Sequence, residues 1–348
     1  MNLNKVGINS SYVKGFIDPD LAEEWKKFQK RYPYLFWVRA MNIKDSKKWR
    51  KFLKGKEPNI ESKPILPKRI DEFVKIAIAR RNIYFHIARS FSEPTKDFVE
   101  NLLIGDFDST LKTLTATFVS ESRTLEGIQL LKKYLRHIKG KQNTLILERL
   151  RDEHLTIFYD SFFPWLSCYE SVYRGEKQII GELTGIVNKS YEKAGCYLTG
   201  DYGNDPADDV KIELQFMYLL CERELESWRK GDKKTAISYL EMQYNHLHKH
   251  MIEWIPYLCD DLLNPEFRKG VSEKFHRTTE VREEDIKEFD FYVSIGAITK
   301  NIIECDYNQV QAMLEMGKKM DGNEVILYLK DERRLGLDEE GFSIRISR

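Results

Sequence analysis

The spacing of apolar residues in the middle of the chain is the feature that most limits its fold. From residue 67 to residue 265 the sequence is predicted to form amphipathic helices separated by short polar turns. The clearest two helices meet at Gly231. Apolar residues three or four apart mark the first at Val210, Leu214, Met217, Cys221, Leu225 and Trp228, and the second at Ala236, Leu240, Leu247, Met251, Trp254, Leu258 and Leu262. These stripes predict an antiparallel helical pair, the second starting at Asp232, within an all-α fold.

Both ends of the chain differ from this helical middle. Residues 1–66 are rich in aromatic and basic residues, and they close in KPILP (63–67), where two prolines disfavour a continuous helix. We therefore predict three parts. They are an N-terminal extension at 1–66, a helical domain at 67–275 and a C-terminal extension at 276–348.

The C-terminal part contains two kinds of predicted local structure. A helical stretch is predicted near residues 285–320. The short apolar runs 324–329 and 342–346 are predicted to pair as a small β-hairpin, because each has the length and composition of a strand.

Composition and charge limit the classes of partner. The chain has 348 residues, 42% of them hydrophobic, which is enough to bury a large core. Its 56 basic and 55 acidic residues leave a net charge of +1, so no overall field favours nucleic acid or a membrane surface. The basic stretch 47–54 is interpreted as a solvated helix face and not as a membrane- or RNA-binding segment.

The sequence also predicts a cellular compartment. The first residues lack the apolar region of a secretory signal, and no apolar run approaches the roughly 18 residues that span a bilayer. Five cysteines are widely spaced without a CxxC pair, which predicts reduced, mostly buried thiols and neither disulfides nor a zinc site. We expect a cytoplasmic protein without stable membrane insertion.

Three aspartates and a proline precede the first of the two clear helices, in the sequence NDPADDVKIELQFM (204–217). Asp205 suits the N-cap and Pro206 the first helical position, and Asp208 follows at capping-box spacing. Acidic side chains at this end also complement the helix dipole. Capping therefore accounts for part of the acidity.

Asp209 and Glu213 are a second source of negative charge, because they lie four residues apart on one helix face. Such a like-charge pair costs roughly 0.2–0.5 kcal/mol in an isolated helix. Two interpretations are open. A lysine such as Lys211, or water, offsets the repulsion, or the acids form an anionic pocket for a cationic ligand, for which arginine is the best fit.

Three histidines alternate near the end of the second helix. Only His246 and His250 share a helix face, and the nearest candidates for a third metal ligand, Glu253 and Cys259, do not have convincing spacing. No metal site is predicted. A buried, hydrogen-bonded role is expected for His250.

Five segments carry motifs in a fixed order. They are ARRNIYFHIARSF (79–91), LRDEHLTIF (150–158), CYESVYRGEKQIIGELT and the residues after it (168–196), DPADDVKIELQFMYLLCERE (205–224) and YNHLHKHMIEWIPYLCDDL (244–262). Together they resemble the TorD/DmsD/NarJ family, the dedicated assembly chaperones of molybdenum enzymes, also called redox enzyme maturation proteins. The third, fourth and fifth resemble the family's YESVYR segment, its P-x-D-H-x-x-x-E-L-x-F-M signature and its F-x-x-x-H-L-x-x-W helix. In the fourth segment, this chain has Asp208-Asp209 where the family pattern has Asp-His.

The resemblance implies a TorD-like helical bundle without catalytic residues, metal or cofactor of its own. It implies a chaperone that binds the signal peptide, often a twin-arginine leader, of a molybdopterin oxidoreductase catalytic subunit. Such a chaperone holds the apoenzyme until the cofactor is inserted. The family also implies a monomer, or a dimer swapped through the loop before Asp205.

The resemblance also implies a peptide-binding site. Acidic residues would bind the leader's arginines, and aromatic residues would line a groove for its apolar stretch. The acids are Asp205, Asp208, Asp209 and Glu213, the aromatics are Tyr169, Tyr173, Phe216 and Trp254, and the motifs add Glu170, Ser171, Pro206 and His250. For the aromatics, ordinary core packing is the competing interpretation. The alternative function is an enzyme or nucleotide-dependent factor in which Asp208, Asp209 and Glu213 hold Mg²⁺ or act in acid/base catalysis.

Overall fold

Helices dominate the part of the protein that can be described. The computed structural model describes residues 64–104, 122–159, 166–176, 180–198, 205–264, 290–320 and 344–346. The all-α class predicted from the sequence is confirmed. Most of the predicted N-terminal extension, including the basic stretch 47–54, lies outside the described residues.

The first half of the described chain contains four long or medium helices. They are α1 (Ile70–Phe91), α2 (Lys96–Ile104), α3 (Ser122–Ile138) and α4 (Asn143–His154), and α4 continues into a π-helical turn, Leu155–Tyr159. Shorter elements follow. They are α5 (Glu170–Tyr173), α6 (Glu182–Lys193) and strand β1 (Cys196–Leu198).

The second half contains the helices that follow β1. They are α7 (Val210–Arg229), α8 (Lys233–Lys249), a 3-10 turn (Met251–Glu253), α9 (Ile255–Leu263) and α10 (Asp290–Lys319), followed by strand β2 (Ile344–Ile346). Helix α7 is central. It packs along α1 on one side and against α8 on another, and most of its residues are buried.

The predicted antiparallel pair around Gly231 is confirmed as α7 and α8. Gly231 has φ +72°, a left-handed conformation that ends α7 at low cost only in glycine. Asp232 then caps α8 by accepting a hydrogen bond from Thr235 N at 3.0 Å. The apolar stripes of both helices face the core, as their spacing predicted.

The start of α7 differs from the prediction. The N-cap is Asp209 and not Asp205, and the helix begins at Val210. Glu170 N donates to Asp208 O at 2.9 Å and Val210 N donates to Cys168 O at 2.8 Å. These bonds pair residues 208–210 with the chain around the start of α5. Asp209 N also donates to Pro206 O at 3.1 Å and closes a turn, so the helix begins only after Asp209.

The second helix of the pair is also shorter than predicted. The apolar stripe from Ala236 to Leu262 predicted one helix, but the structure breaks it into α8, the 3-10 turn and α9. Pro256 is the physical reason. Proline lacks an N–H, and in a continuous helix its ring would clash with the carbonyl of Ile252. The chain therefore leaves helical geometry at Trp254, where φ is −147°.

Helix α10 confirms the helix predicted near residues 285–320. It lies in the predicted C-terminal extension, and it packs against α3, α8 and α9 with its apolar residues in the same hydrophobic core as α7. Its buried Gln309 also exchanges two hydrogen bonds of 2.8 Å with the backbone of Ile65, in the proline-rich segment before α1. This helix therefore contacts both ends of the helical domain.

The two strands connect distant parts of the chain. β2 pairs antiparallel with β1, with Tyr197 opposite Arg345. The predicted run 342–346 thus contains a strand, but its partner in the structure is β1. The run 324–329, its predicted partner, lies outside the described residues.

All five cysteines are buried and have free thiols, as predicted. Within the described ranges, no helix has the length and hydropathy required to cross a bilayer.

Candidate functional site

All twelve predicted site residues lie around the N-terminus of α7. The elements that meet there are the loop 205–209, α5, the C-terminus of α8 and the Trp254 region before α9. Tyr169 and Asp209 form an isolated antiparallel bridge that fixes α5 against the loop. Motifs that lie far apart in the sequence are therefore close together in the structure.

Asp208 links the loop to two helices. It is fully buried, and its Oδ2 accepts a hydrogen bond from Ser171 N at 2.9 Å. Its Oδ1 accepts one from Thr184 Oγ1 at 2.8 Å. Both carboxylate oxygens therefore have donors inside the protein, and these bonds hold α5 and α6 together.

Asp209 caps α7 and is paired with a lysine. Its Oδ1 accepts a hydrogen bond from Lys211 N at 2.9 Å. Lys211 Nζ lies 3.0 Å from Asp205 Oδ2 and 3.8 Å from Asp209 Oδ2. Burial raises the pKa of Asp209 to about 6, although Lys211 opposes this rise. At Asp209, the geometry therefore agrees with the first interpretation of the acidic loop, in which Lys211 offsets the negative charge.

Glu170 forms the centre of a buried polar group. Arg174 Nη1 lies 2.6 Å from its Oε1, and His250 Nδ1 lies 3.0 Å from its Oε2. Arg174 Nη1 also donates to the carbonyl of Lys249, at the end of α8, at 2.9 Å. The buried, hydrogen-bonded role predicted for His250 is thus confirmed.

Glu213 lies beneath this group and is fully buried. Trp254 Nε1 donates to its Oε1 at 3.2 Å, while its Oε2 lies 3.6 Å from His246 Nε2. Burial raises the pKa of Glu213 well above its usual value, and the negative charges of Glu170 and Asp208 raise it further. Burial and the neighbouring His250 lower the pKa of His246. Both shifts favour the neutral forms of these two side chains.

The predicted aromatic residues divide into two groups. Phe216 and Trp254 are buried, and Phe216 packs on Tyr191 with ring centroids 4.5 Å apart, so core packing describes both. Tyr169 and Tyr173 are half-buried. The Tyr173 ring lies 5.7 Å from the Trp254 ring, so the accessible aromatic layer rests directly on the buried one.

Four of the twelve predicted residues have accessible side chains. They are Tyr169, Tyr173, Asp205 and Pro206, and we call this group the loop face. The Asp205 side chain is 34% exposed. Partial burial, followed by the negative charge of Asp209, raises the pKa of Tyr169. The other eight predicted residues are buried below the loop face.

Several residues of the site were not predicted. Asp261 on α9 accepts a hydrogen bond from Tyr173 Oη at 3.0 Å, and burial raises its pKa to about 7. Thr184 and Tyr191 on α6 contact Asp208 and Phe216. Asp261 is 88 residues from Tyr173 in the chain, so no local pattern could have indicated their contact. Arg174, by contrast, follows Glu170 by four residues in the YESVYR motif and could have been predicted.

The carboxylates and histidines of the site do not form a metal centre. In the segments that the structure describes, no group of three or more His, Cys, Asp or Glu side chains is arranged to hold a metal ion. The His246 and His250 rings lie 5.2 Å apart, and their polar neighbours are Glu213 and Glu170 respectively.

Comparison with known proteins gives one match. Residues 121–260 match the family model described as "Nitrate reductase delta subunit". Neither the curated proteins nor the solved structures gave a match. The matched segment contains all twelve predicted residues, whereas α1 and α10 lie outside it. The match covers less than half of the chain, and it agrees with the resemblance of the motifs to the NarJ/TorD-type family of molybdoenzyme assembly chaperones.

Proposed function

We propose that this protein is a cytoplasmic assembly chaperone that binds the signal peptide of a molybdopterin oxidoreductase catalytic subunit. It holds the apo form of this subunit until the cofactor is inserted. The family is one of molybdoenzyme maturation chaperones, which supports the general role and a protein without catalytic activity. The loop face supports the recognition of a basic, partly apolar leader.

The observation that carries this proposal is the combination of an accessible carboxylate with half-buried aromatic rings. Asp205 can accept two hydrogen bonds from a guanidinium, and Tyr169 and Tyr173 offer ring faces for a cation or an apolar side chain. In the free protein, Asp205 forms an ion pair with Lys211. An arginine of the leader would compete with this lysine, and it can bind the carboxylate through two parallel hydrogen bonds, which a lysine cannot.

The buried residues support the loop face from below. Asp208 and Ser171 fix the loop to α5, and Asp209 fixes it to α7. Glu170 and His250 connect α5 to the end of α8. Glu213, Phe216 and Trp254 form the floor beneath Tyr173. We therefore divide the predicted site into four residues that contact the leader and eight that position them.

The alternative of a Mg²⁺-dependent or acid/base enzyme has less support from the geometry. It requires Asp208, Asp209 and Glu213 to present carboxylate oxygens to a ligand or substrate. Both oxygens of Asp208 instead accept hydrogen bonds from the protein, and Asp209 caps α7. Glu213 is buried beneath Trp254. The family assignment also favours the chaperone.

Peptide binding tests the proposal. Labelled peptides covering the N-termini of the molybdopterin-enzyme catalytic subunits of the source organism are titrated with the protein, and fluorescence anisotropy is measured. Charge-assisted hydrogen bonds contribute about 1.5–3 kcal/mol, so Asp205→Asn is expected to weaken binding at least tenfold. Glu226→Gln is the matched control. Glu226 also pairs with a lysine, Lys230, but near the opposite end of α7.

The expected result is one leader that binds the wild type and the control equally and the Asp205 variant weakly. The proposal is overturned if no leader binds, or if Asp205→Asn and Glu226→Gln bind as the wild type does. Replacing the arginines of the bound leader with glutamines should reproduce the loss seen with Asp205→Asn, because both changes remove the same contact.

A further inference from the structure

Three polar atoms of two neighbouring buried side chains have no hydrogen-bond partners. They are Oε2 of Glu213 and both ring nitrogens of His246, and none of them has a partner among the residues that the structure describes. Glu213 Oε2 and His246 Nε2 are 3.6 Å apart, slightly too far for a hydrogen bond. Native interiors satisfy nearly all buried polar groups, so this pair calls for an explanation. Neither capping nor packing explains it.

The charged and titratable groups around this pair come from four elements. Glu170 and Arg174 face it from α5, Asp208 from the loop, Tyr191 from α6 and His250 from α8. Arg174 lies 2.6 Å from Glu170 and offsets part of its charge. Asp208 is also buried next to Glu213. A second or third carboxylate charge here is costly, and the environment therefore favours a protonated Glu213.

The pair is also connected to the loop face by two short routes. Glu213 Oε1 accepts the Trp254 Nε1 hydrogen bond, and the Trp254 ring lies 5.7 Å from the Tyr173 ring. On the other side, the Asp208 backbone accepts from Glu170 N, and Glu170 contacts His250, whose ring lies 5.2 Å from that of His246. A cation at the loop face is therefore close enough to change the electrostatic potential at Glu213.

We propose that Glu213 carries a proton that the protein releases to solvent when a cationic peptide segment binds at the loop face. This inference rests on the proposed function. The incoming cation compensates the new carboxylate charge, and a small closure of the 3.6 Å gap lets His246, in the tautomer with a proton on Nε2, donate to Glu213 Oε2. Two of the three unpartnered atoms, Glu213 Oε2 and His246 Nε2, thus become partners in the bound state.

Two other acids beneath the loop face have raised pKa values and are competing sources of the released proton. They are Asp209, whose pKa burial raises to about 6, and Asp261, whose pKa burial raises to about 7. Asp261 contacts Tyr173 and is the stronger competitor. An experiment must therefore separate Glu213 from Asp261.

Calorimetric titration of the full chain with the bound leader, in buffers of different ionisation enthalpy at constant pH, measures the protons released. The slope of the observed heat against the buffer enthalpy gives their number. We expect proton release by the wild type and by Asp261→Asn, and a heat of binding that does not depend on the buffer in Glu213→Gln. Since one released proton strengthens binding tenfold per pH unit, the affinity of the wild type should also rise with pH.

The outcomes separate this inference from the proposed function. If no leader gives binding heat, the proposed function is overturned and the inference fails with it. If a leader binds with a heat that does not depend on the buffer, the inference alone is overturned. The same holds if Glu213→Gln still releases the proton or if Asp261→Asn abolishes the release. If Glu213→Gln does not fold, a wild-type slope of zero, or loss of release in Asp261→Asn or Asp209→Asn, still overturns the inference, and release that persists in both of these variants supports it.

Discussion

Arg80 on α1 and Asp306 on α10 form a bidentate ion pair in the centre of the protein. Arg80 Nε lies 2.5 Å from Asp306 Oδ1, and Nη2 lies 3.0 Å from Oδ2, with both side chains buried. Arg80 Nη1 also donates to Glu224 on α7 at 3.0 Å, and Tyr84 donates to Asp306 at 2.7 Å. One polar network therefore connects α1 and α10, which lie outside residues 121–260, to α7, which lies within them.

This network predicts a large loss of stability when one partner is removed. Asp306→Ala leaves the Arg80 guanidinium buried with one of its two carboxylates missing, and removing one side of a buried pair costs about 3–5 kcal/mol. The measurement is urea unfolding followed by circular dichroism. Glu241→Ala is the matched control, because Glu241 pairs with Lys318 of the same helix α10 at the surface and should cost less than about 1 kcal/mol. Equal losses in the two variants would contradict the account.

Asp261 predicts a pH dependence of stability. Its pKa is about 7 in the folded protein, mainly through burial with a contribution from Asp260, against roughly 3.9 in an unfolded chain. The folded state thus keeps a proton that the unfolded state has lost, so stability falls as the pH rises from about 4 to about 7. Asp261→Asn removes this dependence. Relative to the wild type, it should gain about 3 kcal/mol in unfolding free energy between roughly pH 5 and pH 8.

The control for this prediction is the neighbouring residue. Asp260 is half exposed and pairs with Lys300, so Asp260→Asn should leave most of the pH dependence in place. Unfolding in urea across the same pH range measures both variants. A slope in Asp261→Asn equal to that of the wild type would show that Asp261 is ionised in the folded protein, contrary to our account.

The first turn of α7 gives a third prediction. Asparagine caps helices as well as aspartate does, so Asp209→Asn should keep the Lys211 N hydrogen bond and change stability by less than about 1 kcal/mol. Asp209→Ala loses the cap and should cost about 1–2 kcal/mol. Thermal unfolding of the two variants distinguishes these outcomes. A variant Asp209→Asn as unstable as Asp209→Ala would indicate that the ion pair with Lys211, and not the cap, holds the loop.

Gly127 gives a fourth prediction, at the contact between α3 and α10. A Cβ atom there would lie 3.0 Å from both Ala297 Cβ and Ile298 Cγ1. Gly127→Ala should therefore force the two helices apart and cost about 1–3 kcal/mol. Gly185→Ala on α6 is the control, because its Cβ meets open space and alanine favours the helix by about 1 kcal/mol. Opposite shifts in melting temperature are expected, and shifts of the same sign would contradict the α3–α10 packing.

The sequence predicted those features that depend on local patterns. The 3.6-residue period predicted α7, α8 and α10, and Gly231 with Asp232 predicted the turn between α7 and α8. The order of the motifs predicted the family, and the structure brings the motif residues together. These inferences succeeded because helix periodicity, glycine turns and caps involve residues only a few positions apart.

Features that depend on tertiary contacts were not predicted correctly. Bonds with residues 168–170 hold residues 208–210 against α5, and the cap of α7 is Asp209 instead of Asp205. The break before α9, by contrast, has a local cause, because Pro256 was visible in the sequence and the prediction gave more weight to the apolar stripe. The contacts of β2 with β1 and of Tyr173 with Asp261 join residues far apart in the chain. The sequence also could not distinguish accessible acids from buried ones, because Asp205 and Asp208 are alike in local pattern and differ only in what covers them.

The most direct test of the central claim is recovery of the client from cells. The tagged protein, wild type or with Asp205→Asn and Tyr169→Ala combined, is purified from the cytoplasm of the source organism. Retained proteins are identified by mass spectrometry and their molybdopterin content is measured. We predict that the wild type retains a molybdopterin-enzyme catalytic subunit without its cofactor and that the double variant retains much less. Equal retention by both proteins, or a subunit that already contains its cofactor, would contradict the account.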